Sequence, residues 1–172
     1  MTDLTLDGPW LGFDLGQPME ALSWSINRPG FVQTSHILWR EVRNADLLQD
    51  IDVCRWLEKE SKRQNSEDAG RDWGTINVAV RVDAGLSQTG LLEAMSIAVQ
   101  ARTAAVMDAR FDLPTGIATG TDCVAIAGLA GSTDFAGLHT DIVGPVQCCS
   151  VYDAVSVGAG AWKMELKETR HA

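Results

Sequence analysis

In Ile76-Asn77-Val78-Ala79-Val80-Arg81-Val82-Asp83, isoleucine and valine alternate with asparagine, alanine, arginine and aspartate. A two-residue period puts one apolar and one mixed face on an extended chain, so this spacing predicts a strand. The period then changes. After Ala84-Gly85, read as a turn, Leu91, Met95, Ala98, Arg102 and Ala105 fall on one helical stripe, widened by Leu92, Val99 and Val106. That predicts a helix from Ser87 to about Ala109, with Ser87 as its N-cap. Phe111 to Gly116, containing Pro114, interrupts the pattern. Cys123-Val124-Ala125-Ile126-Ala127 is a short apolar run of the kind a buried strand shows. A glycine-rich loop is expected from Gly128 to Gly137, then a helix from near Thr140 or Pro145 to Val157, stopped by Gly158-Ala159-Gly160. Strand, helix, strand, helix predicts an α/β fold: a single domain over residues 1–172, its mixed or largely parallel sheet flanked by helices.

Working back toward the N-terminus, Leu11 to Leu15, Ala21 to Ile26 and Ile37 to Val42 read as extended segments punctuated by the turn residues Asn27-Arg28-Pro29-Gly30. Ile51, Val53, Cys54, Trp56 and Leu57 have helical spacing between Asp50 and Gln64, and Lys59, Lys62 and Arg63 suit the negative end of a helix dipole. Gln64 to Asp72 is polar and aperiodic, as an exposed loop would be.

The chain has 172 residues of which 45% are hydrophobic, enough for one core without disulfides or metals. No run approaches the roughly 18 apolar residues of a membrane helix, and the acidic start Met1-Thr2-Asp3-Leu4-Thr5-Leu6-Asp7 does not read as a secretory leader. The expected location is therefore the cytoplasm. Cys54, Cys123, Cys148 and Cys149 contain no CxxC spacing and read as reduced, mostly buried thiols. A net charge of -9 argues against nucleic acid and anionic membranes as partners, since both attract basic surfaces. Six tryptophans against one tyrosine are expected mainly in the core, with one or two lining a site.

Chemistry concentrates in Thr115-Gly116-Ile117-Ala118-Thr119-Gly120-Thr121-Asp122, which runs directly into the apolar segment at Cys123. Glycines admit a ligand close to the backbone, hydroxyls donate and accept, and a fixed carboxylate can orient or deprotonate water. The same residues suit a tight turn in which Asp122 caps backbone amides, and spacing alone does not choose. Neither GxxxxGK[ST] nor GxGxxG spacing is present, nor a GxSxG elbow. Of the histidines, His171 lies in the tail and His36 borders a strand; His139, at the junction after Phe135-Ala136-Gly137-Leu138, is placed for acid or base work, or for a surface or capping role. Asp141 and Asp153 read as solvated charges near a helix. Cys123 follows Asp122 and is a secondary nucleophile candidate, although Val124, Ala125 and Ile126 suit an inert core thiol.

Taken in order, WGTINVAV from Trp73, LLEAMSIAVQARTAA from Leu91, ATGTDCVAIA from Ala118, AGLHT from Ala136 and VYDAV from Val151 resemble the adenosylcobinamide amidohydrolases (CbiZ). The resemblance runs from about Trp73 to Trp162, with weaker similarity at Ala21 to Ser25 and Leu38 to Leu47. It departs from the family pattern where Ala118 replaces the first glycine of the glycine-threonine motif, and where Gln100 and Arg102 replace a glutamate and a lysine. The resemblance implies hydrolysis of the amide between the corrin propionate arm and aminopropanol, giving adenosylcobyric acid, as in corrinoid salvage. The corrinoid is then a small-molecule substrate and no cofactor is expected. Hydrolysis of an unactivated amide needs a nucleophile, oxyanion stabilisation and a proton for the leaving amine. Asp122 and His139 are the catalytic candidates; Thr119, Gly120 and Thr121 are candidates for the oxyanion or the corrin amides. Asn77 is a candidate to orient a substrate amide, or equally a strand-end hydrogen-bonding residue. Three scattered histidines without paired-ligand spacing predict no metal. The long apolar helix is compatible with a homo-oligomer.

Overall fold

The computed structural model describes residues 3–41, 52, 55–57, 76–110, 122–134 and 144–169. Among the described residues five strands form one mixed sheet: β1 (Asp3–Asp7), β2 (Trp10–Ser23), β3 (Gly30–Arg40), β4 (Asn77–Leu86) and β5 (Cys123–Ala130). Its order is β1-β2-β5-β4, with β3 also paired to β2. Among the described residues two long helices, α1 (Gln88–Asp108) and α2 (Gly144–Thr169), pack with the sheet to give an α/β fold. Among the described strands β4 and β5 pair in parallel, from Asn77↔Cys123 to Leu86↔Ala130, and the other strand pairings are antiparallel, so the sheet is mixed rather than largely parallel.

The alternating stretch from Ile76 does form a strand, but it passes through Ala84-Gly85 to Leu86 instead of turning there. A register shift between Val82 and Gly85 accommodates those residues inside the ladder. Likewise β5 continues through Gly128, Leu129 and Ala130, positions expected in a loop. Gly128 fits because its bare Cα lies beneath the Leu86 side chain. The predicted helix is α1, and Ser87 caps it by accepting a hydrogen bond from Gly90 N–H at 3.1 Å. Its stripe (Leu91, Ala94, Ala98, Ala101, Ala105, Val106) packs with Leu22, Val82, Leu86, Val124, Ile126, Val151 and Val155. Each large member buried there contributes about 1.5–3 kcal/mol.

Helix α2 does not stop at Gly158-Ala159-Gly160 but runs on to Thr169. Val151, Val155 and Ala159 recur every fourth residue and are buried, Tyr152 Oη donates to Asp108 at 2.7 Å, and Lys163 Nζ donates to the Ala109 carbonyl at 2.6 Å. These contacts on both sides of the glycines outweigh their low helix propensity.

The expected segment Leu11 to Leu15 and the first half of Ala21 to Ile26 belong to one long strand, β2, which ends at Ser23 and is kinked between Asp14 and Met19, where Gly16 adopts φ +77° and donates to Asp14 Oδ1. Strand β3 runs from Gly30 to Arg40, starting well before the expected Ile37 and taking in the last residue of the expected Asn27-Arg28-Pro29-Gly30 turn, whose first three residues separate it from β2. Strand β1 was not expected; its apolar Leu4 and Leu6 are both exposed, so little burial marks it. Of the helix expected from Asp50 to Gln64, residues 55–57 are helical and Asp52, which is not, precedes them with its Oδ1 accepting from Arg55 N–H; the other positions lie outside the described residues. Arg40 stacks over the rings of Trp56 and Trp10, at 4.5 and 5.9 Å, joining that turn to the sheet. The tryptophans are less buried than expected: among those described only Trp10 is in the core, and Trp24 is exposed. The thiols differ too, because Cys148 and Cys149 face solvent on α2. Among the described residues no helix is long and apolar enough to cross a membrane.

Candidate functional site

Asp122 is the last residue before β5 and stands where the amino ends of the parallel strands β4 and β5 meet. Its carboxylate is held on both oxygens. Ile76 N–H donates to Oδ1 at 2.9 Å, and Arg102 Nη1 lies 3.3 Å from Oδ2. The two side chains are only 7% and 10% exposed, so this is a desolvated ion pair supplied by α1 and the head of β5. The contact is an ion pair by distance, but Arg102 Nη1 is not aligned for a hydrogen bond and is sealed from solvent. Asp122 also anchors a third element: its carbonyl accepts from Trp24 Nε1 at 2.9 Å, across from the end of β2.

Asn77 sits beside Asp122 through the strand register Asn77↔Cys123. Its Oδ1 accepts from Cys123 N–H at 3.1 Å, the strand-end bond that was one of its two readings. Asp122 and Asn77 thereby tie the first residues of β4 and β5 to each other reciprocally, each side chain accepting from backbone of the neighbouring strand. Cys123 is half-buried, and burial pushes its thiol up from the ordinary 9.0, against a smaller opposing effect of a hydrogen bond from the Trp24 backbone. Burial thus favours the neutral thiol, which suits packing better than nucleophilic attack.

The structure therefore joins Asp122 and Asn77 and adds two residues that the sequence did not single out, Arg102 and Trp24. A charge in the middle of the apolar stripe Leu91, Met95, Ala98, Arg102 and Ala105 was the available signal for the first. Trp24 carried none beyond the general expectation that a tryptophan would line a site. Thr119, Gly120, Thr121 and His139 lie outside the described residues. His36, set aside earlier, is exposed on β3 near Asp14, at 3.7 Å. Among the described residues no group of three or more His, Cys, Asp or Glu side chains could hold a metal ion.

A separate groove of about 350 Å³ lies between β4 and α2, lined by Val78, Val80, Arg81, Asp83, Ser150 and Val151 among others. Arg81 and Asp83 are paired to each other there at 2.6 Å. None of Asp122, Asn77, Arg102 or Trp24 lines it.

Comparison with curated proteins and with solved structures gives no match. The sequence model of the family described as adenosylcobinamide amidohydrolase (CbiZ) matches residues 57–166. That segment holds β4, α1, β5 and most of α2, with Asn77, Arg102 and Asp122, whereas β1, β2, β3 and Trp24 precede it. With more than half of its length matched in this way, the chain belongs to the adenosylcobinamide amidohydrolase family.

Proposed function

We propose that the protein hydrolyses the amide of adenosylcobinamide that joins the corrin propionate arm to aminopropanol. The products are adenosylcobyric acid and aminopropanol, so the activity belongs to corrinoid salvage. The observation that carries this reading is the fixed, desolvated Asp122 carboxylate at the end of the glycine-threonine segment, inside the part of the chain that the family model matches. A carboxylate fixed in place can orient an attacking water and take its proton, the base work that amide hydrolysis requires. In this reading Asp122 and His139 divide the acid and base work, Thr119, Gly120 and Thr121 serve the oxyanion or the corrin amides, and no metal or cofactor takes part. The site of action is the cytoplasm.

The test incubates the protein with adenosylcobinamide and follows adenosylcobyric acid and free aminopropanol by mass spectrometry. Equimolar appearance of both supports hydrolysis. A second reading, a corrinoid-binding relative that does not cleave, is favoured by one observation: the Asp122 oxygens are already engaged by Ile76 and Arg102, as suits a structural anchor. Binding of the substrate without either product would select it.

A further inference from the structure

Among the described residues Arg102 is the one charged residue of the core, 9% exposed on the face of α1 where Ala98, Ala101 and Ala105 are buried with it. Stability alone does not call for a charge there, because apolar side chains of similar volume in place of both partners of a buried ion pair often serve as well or better. The effect to look for is the one on its partner. Arg102 Nη1 lies 3.3 Å from Asp122 Oδ2, yet it is not aligned to donate there and, sealed from solvent, has no other hydrogen-bond partner. Through this contact the guanidinium bears on the carboxylate by charge and not by a hydrogen bond. Location is supplied by other groups: Ile76 N–H donates to Oδ1 and the Trp24 indole N–H to the Asp122 carbonyl, each at 2.9 Å. Holding the residue in place and holding its charge are thus divided between different elements of the fold.

We propose that Arg102 is a positioning residue for the hydrolysis, acting on the reaction only through Asp122 by keeping the desolvated carboxylate charged where Ile76 and Trp24 hold it. The inference rests on the reading above in which Asp122 does acid-base work, and adds the group on which that work depends. A carboxylate takes a proton from water only in its charged form, and out of water that form is costly without a cation beside it. Arg102 meets this need from inside the packing of α1 on the sheet. Its Nη1 is closed to solvent, so it bears on the reacting atoms through Asp122 and not by contact with substrate. Loss of the cation then shows in the chemical step and not in substrate binding.

The test measures kcat and KM with adenosylcobinamide for the full chain, Arg102→Met, Arg102→Lys, Asp122→Asn and the double variant Arg102→Met/Asp122→Asn, each shown by circular dichroism to be folded. Arg102→Met should lower kcat by about tenfold or more and leave KM within about threefold of the parent. Arg102→Lys restores the charge without the planar fork, and its kcat should lie much closer to the parent than to Arg102→Met. In the Asp122→Asn background the Arg102→Met change should cost less than about twofold, because the group it acts through is gone. Should Arg102→Met fail to fold, Arg102→Gln takes its place in every comparison. An Arg102 effect repeated undiminished in the Asp122→Asn background, or a lysine variant no faster than Arg102→Met, overturns the proposal and leaves the hydrolase reading standing. So does a neutral variant with kcat within about twofold of the parent, or one that changes KM alone. Parental turnover by Asp122→Asn overturns it as well, since nothing then passes through that carboxylate. A parent that releases neither product overturns both readings together.

Discussion

Arg102 and Asp122 form a desolvated ion pair at 3.3 Å, one on the inner face of α1 and the other at the head of β5. Taking either charge out of water is costly, and their attraction offsets the cost only while both are present. Arg102→Met and Asp122→Asn should therefore each lower unfolding free energy by about 3–5 kcal/mol, because each strands the other charge. The double variant Arg102→Met/Asp122→Asn should lose much less than the sum. Urea unfolding of all four proteins checks this through a double-mutant cycle, and simple additivity would show that the pair is not coupled.

For activity, Asp122→Asn and His139→Ala should each reduce adenosylcobinamide turnover by roughly two powers of ten or more, as loss of acid-base groups does. Because Asp122 is also structural, its rate must be taken on protein shown by circular dichroism to be folded. Near-parental turnover in both variants would remove them from the chemistry.

The parts of this fold legible in the sequence are those whose signal is local. The alternation from Ile76 to Asp83 and the stripe from Leu91 to Val106 each repeat one period for long enough to exclude the other, and both elements form. Ser87 could be placed as a cap because capping needs only the next few residues. Element ends were not legible, since they depend on tertiary partners: Gly158 and Gly160 sit inside α2 because Val155, Ala159 and Lys163 find α1. The site was half legible. Asp122 and Asn77 stand out by type and position, but that Arg102 completes the carboxylate and Trp24 reaches its carbonyl is fixed only when α1 and β2 pack beside β5.

The Cys123 thiol gives a pH-dependent handle. Its folded-state pKa is raised by burial above the ordinary 9.0, so on raising the pH the unfolded chain ionises first. The native state then binds the extra proton, and stability falls as pH climbs past 9.0 toward the folded value, with full stability below it. Cys123→Ala should flatten that decline relative to the parent. The comparison is needed because Tyr152, held up by the Asp108 carboxylate, titrates in the same alkaline range. Thermal melts between pH 7 and about pH 10.5 for the two proteins provide the check, and parallel curves would contradict it. With an alkylating reagent at neutral pH, the exposed Cys148 and Cys149 should react before Cys123.

Glycines in the two helices should respond to alanine with opposite signs, although both lie inside regular helix. At Gly158 and Gly160 an added Cβ meets nothing within 4 Å, so each substitution should raise stability by about 0.5–1 kcal/mol through reduced backbone entropy in the unfolded chain. Gly90 has the same propensity gain available, but its Cβ would collide with the carbonyl oxygen of Thr133. That oxygen accepts from Ser87 N–H at 3.1 Å, and Thr133 N–H donates back to the Gly85 carbonyl at 3.2 Å, so the segment cannot retreat without breaking its bonds to the end of β4. Two lost backbone hydrogen bonds cost about 1–3 kcal/mol together and the displaced packing adds to that, exceeding the roughly 1 kcal/mol favouring alanine in a helix. Gly90→Ala should therefore lower the melting temperature while Gly158→Ala raises it, and a stabilised Gly90→Ala would mean that residues 131–134 do not lie against the first turn of α1.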